Sequence, residues 1–144
     1  MATQVVKDDR SVAEMYHDAE ICYKKSLELL EAIGLPKGLL PLKNLEESGY
    51  VKETGFVWLK QKKPVEYYNK KIGRTVLYGT ELTAYVEKHK MKKMTGVKTK
   101  ELMVWVQITE MSLNEASNKK IYFKSSLGIG KSFPIEAFQL EDEK

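Results

Sequence analysis

One short stretch, "IGLPKGLLP" from Ile33 to Pro41, sets the main limit on the fold, because the hydrophobic periodicity changes across it. Before it, Val12, Met15, Tyr16, Ala19, Cys22, Tyr23, Leu27, Leu30 and Ile33 recur at intervals of three and four, along one stripe of an α-helix. Ser11 and Glu14 have the S-x-x-E spacing of a capping box, in which each side chain satisfies a backbone N–H left unpaired at a helix start. The spacing predicts a helix over 11–33. Gly34 ends it by accepting a left-handed conformation, and Pro36 prevents its resumption.

After Pro41 apolar residues fall at about every second position, in short stretches rich in Val, Tyr, Thr and Trp. Tyr50 to Lys52 and Phe56 to Lys60 flank "ETG", which predicts a hairpin with Gly55 at positive φ. Further strands are expected at Val65 to Asn69, Thr75 to Tyr78, Leu82 to Lys88, Leu102 to Thr109, Ile121 to Ser125 and Ile135 to Gln139, with "LNEASNKK" as a polar turn. The strand around Trp105 is bulky and apolar on both faces, and so is "GFVWL" at residues 55–59, so each needs cover on both sides. The helix supplies one layer and a sheet curving onto itself supplies the other. Short connections favour antiparallel pairing over helical crossovers. The expected class is therefore mainly β with one long N-terminal α-helix, as a partly open antiparallel β-barrel or sandwich. In outline, a flexible N-terminus (1–10) precedes a single domain (11–139) whose barrel-like region spans 42–139, and an acidic tail (140–144) is expected to fray.

At 144 residues the chain fits one core, and 42% hydrophobic with 31% charged residues argues against disorder and a coiled coil. Cys22 is the only cysteine, which excludes an internal disulfide and fits a reducing compartment. The first residues contain no apolar run suited to a signal peptide, and nowhere do about 18 apolar residues follow one another, so a cytoplasmic monomer without a transmembrane segment is expected.

The net charge of +4 is unevenly spread: residues 60–100 carry 12 Lys and Arg against 3 Asp and Glu, whereas the flanking parts are mildly acidic. Such a stretch attracts anionic partners, although lysine on exposed strands also guards sheet edges against aggregation. Nearly all these cations are Lys, whereas phosphate and base recognition favours the forked Arg, so nucleic acid is not the expected partner.

"SSLGIGKSF", Ser125 to Phe133, looks like a phosphate loop, but the position six before Lys131 is Ser125 instead of glycine, and Pro134 prevents a helix from opening there. A glycine-flexed turn is the simpler expectation. His17 and His89 lack metal-ligand spacing, and no G-x-S-x-G elbow is present, so neither a metal, a cofactor nor a catalytic residue is predicted. Ser125 or Ser126 with His89 is the least unsuitable pair for a hydrolase. The basic third also holds Tyr67, Tyr68, Tyr78 and Tyr85, and aromatic groups beside cations suit a ligand with an apolar body and an acidic head. With Arg74, Lys98 and Lys131 they form the expected ligand-binding set.

"IGLPKGLLP", "GFVWL", "LYG", "MTGVKTKELMVWV" and the closing "KIYFKSSLGIGKSFPIEAF", in that order between about Ser26 and Phe138, resemble a plant family called domain of unknown function 538. Gly34, Pro36, Gly38 and Pro41 match its helix-to-barrel connection, and Gly96, Lys98 and Lys100 its "TGVKxK" segment. The resemblance implies a helix followed by a barrel-like β fold, with lipid binding or a stress-linked hydrolysis of pigment as the activities attached to the family. Together with the basic, aromatic middle third, it leads to the expectation of a non-catalytic binding protein for an apolar or amphipathic anionic small molecule, such as a lipid or pigment, or for an anionic lipid surface. The alternatives are a pigment or lipid ester hydrolase linked to stress, and a protein-interaction module.

Overall fold

A computed structural model describes residues 10–113 and 119–143. A 3-10 turn at Arg10–Val12 leads into strand β1 (Glu14–Tyr16), helix α1 (Ala19–Ile33) and a second 3-10 turn at Lys37–Leu39. The remaining strands are β2 (Leu45–Val51), β3 (Phe56–Gln61), β4 (Val65–Asn69), β5 (Arg74–Glu87), β6 (Lys90–Glu101), β7 (Val104–Leu113), β8 (Lys120–Ser125) and β9 (Gly130–Pro134). All pairings are antiparallel, and the order is β1-β2-β3-β5-β6-β7-β8-β9. β4 pairs with the first half of β5 and β3 with its second half. β1 and β9 do not pair with each other, so the sheet stays open and does not close into a barrel. Among the described residues no helix is long and apolar enough to cross a membrane.

α1 starts eight residues later than the capping-box spacing predicts. Ser11 lies in the first 3-10 turn and Glu14 opens β1, whose register with β2 places Glu14 opposite Tyr50 and Tyr16 opposite Ser48. Strand pairing with a distant segment thus overrides a purely local helix signal. Asp18 is the actual N-cap, accepting from the Ile21 N–H at 3.0 Å. Cys22, Ser26, Leu30 and Ile33 form the buried stripe of the helix, while Val12 and Met15, expected on it, are exposed. The other end matches expectation: Gly34 has φ of 81°, and the Leu35 N–H reaches back to the Leu30 carbonyl at 2.9 Å.

The two strands expected within 75–88 are one long strand, β5. Its register with β6 shifts between Tyr78 and Thr83, opposite Gly96 with φ of 84°. A Cβ on Gly96 would stand 2.2 Å from the Glu81 carbonyl oxygen, so this close approach requires glycine. β6 itself has no apolar alternation strong enough to stand out among its lysines, but Met91, Met94 and Val97 are buried in the core. Its hairpin to β7 turns through Leu102 and Met103, both expected inside a strand.

The C-terminal elements also shift. The last strand is Gly130–Pro134, and Ile135–Phe138 is a 3-10 turn, not a strand, because the chain leaves the sheet at Pro134 to bury Phe138 against Phe123. In the described part of the acidic end, the Glu143 carboxylate accepts from the backbone N–H groups of Lys37 and Leu140, at 3.0 and 2.9 Å. Residues 1–9, 114–118 and 144 lie outside the described residues, and with them most of the flexible N-terminus and polar turn expected there.

The main core joins the buried stripe of α1 to one face of the sheet. A second cluster, Val51, Phe56 and Trp58, sits on the opposite face and packs with Ala13 and Tyr85. Arg10 caps it, with its guanidinium 4.6 Å from the Trp58 ring centroid and 2.9 Å from Glu81.

Candidate functional site

Strand alternation places Thr99 and Glu101 of β6, Val106 and Ile108 of β7, Phe123 and Ser125 of β8, and Lys131 and Phe133 of β9 on one face. With Leu127 and Ile129 from the β8–β9 turn they line a pocket of about 260 Å³. Its walls are aliphatic and aromatic, Phe123 and Phe133 meeting edge to face at 5.4 Å. Thr99 and Ser125 are buried polar groups, and the Ser125 hydroxyl accepts from the Leu127 N–H at 3.2 Å.

Charge is confined to one side. The Glu101 carboxylate accepts from Arg74 Nε at 2.6 Å and from Lys131 Nζ at 2.9 Å, so two cations share one anion and leave a surplus of one positive charge. Burial pushes the Glu101 carboxyl up, but the hydrogen bonds and charges of Lys131 and Arg74 outweigh it and hold the group below the ordinary carboxylate range. An anionic head placed here meets that surplus directly.

Of the expected ligand-binding set, Lys131 lines this pocket, and Arg74, 57 positions away in sequence, joins it through the Glu101 carboxylate they share. Lys98 alternates with Thr99 and faces outward. Tyr67 and Tyr68 project to opposite sides of β4 and are half exposed. Tyr78 is fully buried and donates its hydroxyl to the Leu39 carbonyl at 3.0 Å, and burial pushes its pKa up. Tyr85 belongs to the second cluster, 5.2 Å from Phe56. Glu101, Ile108 and Phe123 are among the lining residues that escaped the sequence reading. The signal that finds them is the shared two-residue alternation of the last four strands, which becomes usable only once their register is known.

A second cavity of about 420 Å³ lies under α1, lined by Glu14, Tyr16, Lys25, Glu28, Tyr50 and Leu59 among others. Its charged groups are two acids and Lys25, which is engaged by Glu28 at 3.4 Å and lies over the Tyr16 ring. That balance disfavours an anionic head.

His89 is in the β5–β6 turn, donating its N–H to the Ile33 carbonyl, with its ring against Gly34. Ser125 pairs with Ile108 while Lys90 pairs with Ser112, so roughly 13 Å of strand separates His89 from the pocket serine. His17 sits 3.3 Å from Glu47, whose carboxylate also accepts from Trp58 Nε1 at 2.6 Å. The Trp58 hydrogen bond holds the Glu47 carboxyl below the ordinary range.

No curated protein and no solved structure matches the chain. A family model described as "Protein of unknown function, DUF538" matches residues 26–139, from within α1 to just past the 3-10 turn at Ile135–Phe138. Because that match spans most of the chain and every wall of the pocket, the protein belongs to the DUF538 family.

Proposed function

We propose that this chain is a non-catalytic, monomeric and cytoplasmic binding protein whose β6–β9 pocket takes the apolar end of an amphipathic anionic molecule. The observation that carries the reading is the pairing of apolar walls with the Arg74–Glu101–Lys131 cluster and its single surplus positive charge. Pockets for drug-sized ligands hold about 300–1,000 Å³. At about 260 Å³, this one suits a segment of acyl chain or a single ring, with the rest of the ligand outside. A lipid, free or presented by an anionic lipid surface, meets this limit more readily than a whole pigment. A hydrolase acting here would lack a histidine base in the pocket lining.

The test is thermal denaturation with a medium-chain fatty acid. At 100 times its dissociation constant, the ligand raises stability by about 2.7 kcal/mol. Lys131→Ala lowers the affinity for the acid and leaves the affinity for the matching alcohol unchanged. Equal melting curves with and without fatty acids and lipid extracts would sink the reading.

A further inference from the structure

Two hairpin tips stand at the end of the sheet where the pocket lies. The first is the Leu102–Met103 turn between Glu101 and Val104, where the two side chains are 96% and 85% exposed. Both have positive φ, 49° and 75°, in a two-residue turn that ordinarily selects Asn-Gly because bulky side chains strain there. The second tip places Leu127 and Ile129 at 72% and 66% exposure on either side of Gly128. Turn chemistry disfavours large apolar groups at the first tip, and core packing accounts for neither.

The surroundings supply the complement. Residues 69–74, 98–106 and 124–131, which form the two tips and the neighbouring β4–β5 turn, contain seven Lys and Arg against one acid, Glu101. The register sets the first tip level with the β4–β5 turn, since Asn69 pairs with Arg74, which binds Glu101, and Lys131 at the base of the second tip reaches the same carboxylate. Lys100 lies over the partly exposed Trp105 ring, 5.7 Å from its centroid. Protruding apolar tips inside a collar of lysines match the layered chemistry of an anionic membrane surface, with acyl chains below and phosphates above.

We infer that the Leu102–Met103 and Leu127–Ile129 tips insert into the interfacial layer of an anionic bilayer, with the surrounding lysines at headgroup level. The inference deepens the reading of a lipid-binding protein and rests on it, but vesicle binding and pocket filling fail separately. Fatty-acid binding without vesicles reports on the pocket alone.

The experiment is flotation of the full chain with phosphatidylcholine vesicles, with and without phosphatidylserine. The chain binds the phosphatidylserine vesicles, Trp105 emission moves to the blue, and rising salt releases the protein. The double change Leu102→Asn with Met103→Gly lowers vesicle affinity about tenfold or more, while the melting temperature stays level or rises because Asn-Gly suits the turn. Lys98→Ala and Lys100→Ala each lower it roughly fivefold. Failure to bind phosphatidylserine vesicles at low salt overturns the inference, as does unchanged binding by the turn variant. A concentration-dependent dimer that ignores vesicles and is lost in the turn variant would assign the patch to a second copy of the chain, and overturns it too.

Discussion

Strands β3 and β7 start from the same sequence pattern, bulky apolar side chains on both faces, yet they end in different surroundings. Phe56, Val57, Trp58 and Leu59 are all buried, because one face meets the main core while Arg10 and Ala13 cover the other. In β7 only Ile108 and Met111 are buried, and Val104 stays 61% exposed. The expectation of two-sided cover thus holds for one strand and fails for the other. Apolar pattern sets which residues are able to be buried, while the neighbours available to cover them set which are. Where cover is missing, at the β6–β9 end, the pocket and the exposed tips appear together.

The largest effect expected to separate the two regions is a pair of truncations. Trp58 is wholly buried and donates to Glu47, so Trp58→Ala costs about 3–5 kcal/mol in chemical denaturation, whereas Trp105→Ala costs about 1. Equal losses would show that β7 is covered as fully as β3. Next, Gly96→Ala forces a Cβ toward the Glu81 carbonyl at positive φ and costs about 1–3 kcal/mol, loosening the bend on which the β6 side of the pocket depends.

A third effect is pH dependence, to which both regions contribute one carboxylate. Glu47 beside Trp58 and Glu101 beside Lys131 and Arg74 both titrate below the ordinary range in the folded chain. The unfolded chain therefore binds protons first, so their stabilisation is complete above about pH 4.3 and is lost as pH falls through the folded pKa values. Melting temperature measured from neutral to acid pH falls in this window. Glu47→Gln or Glu101→Gln flattens the fall, each removing about 1 kcal/mol at neutral pH because these groups are partly exposed. An unchanged acid slope in both variants would mean that other groups govern it. The smallest effect belongs to the uncovered tip: Leu102→Asn with Met103→Gly changes stability by less than about 1 kcal/mol and in the favourable direction, read as a higher denaturation midpoint.

Much of the fold is legible in the sequence. Gly34 and Pro36 end α1, Gly55 at φ of 81° turns the β2–β3 hairpin, and the antiparallel order follows from short connections. The departures share a cause. Ser11 and Glu14 have a helix-start spacing, but pairing with β2 takes that segment, and Leu102–Met103 read as strand until the register of β6 and β7 makes them a turn. Of the site, Arg74 and Lys131 are legible as cations near aromatic residues, while their joint contact with Glu101 is not, since it links positions 27 and 30 apart across different strands.

By itself, then, the sequence determined the helix-to-sheet break, the β class, the basic bias of residues 60–100 and membership of a family through its motifs. Those are properties of local spacing and composition. Tertiary structure alone decided that the sheet stays open, that Tyr78 spends its hydroxyl on Leu39, and that four apolar tip residues stand in water beside a lysine collar. Register and cover arise from contacts between distant segments, which no local period encodes.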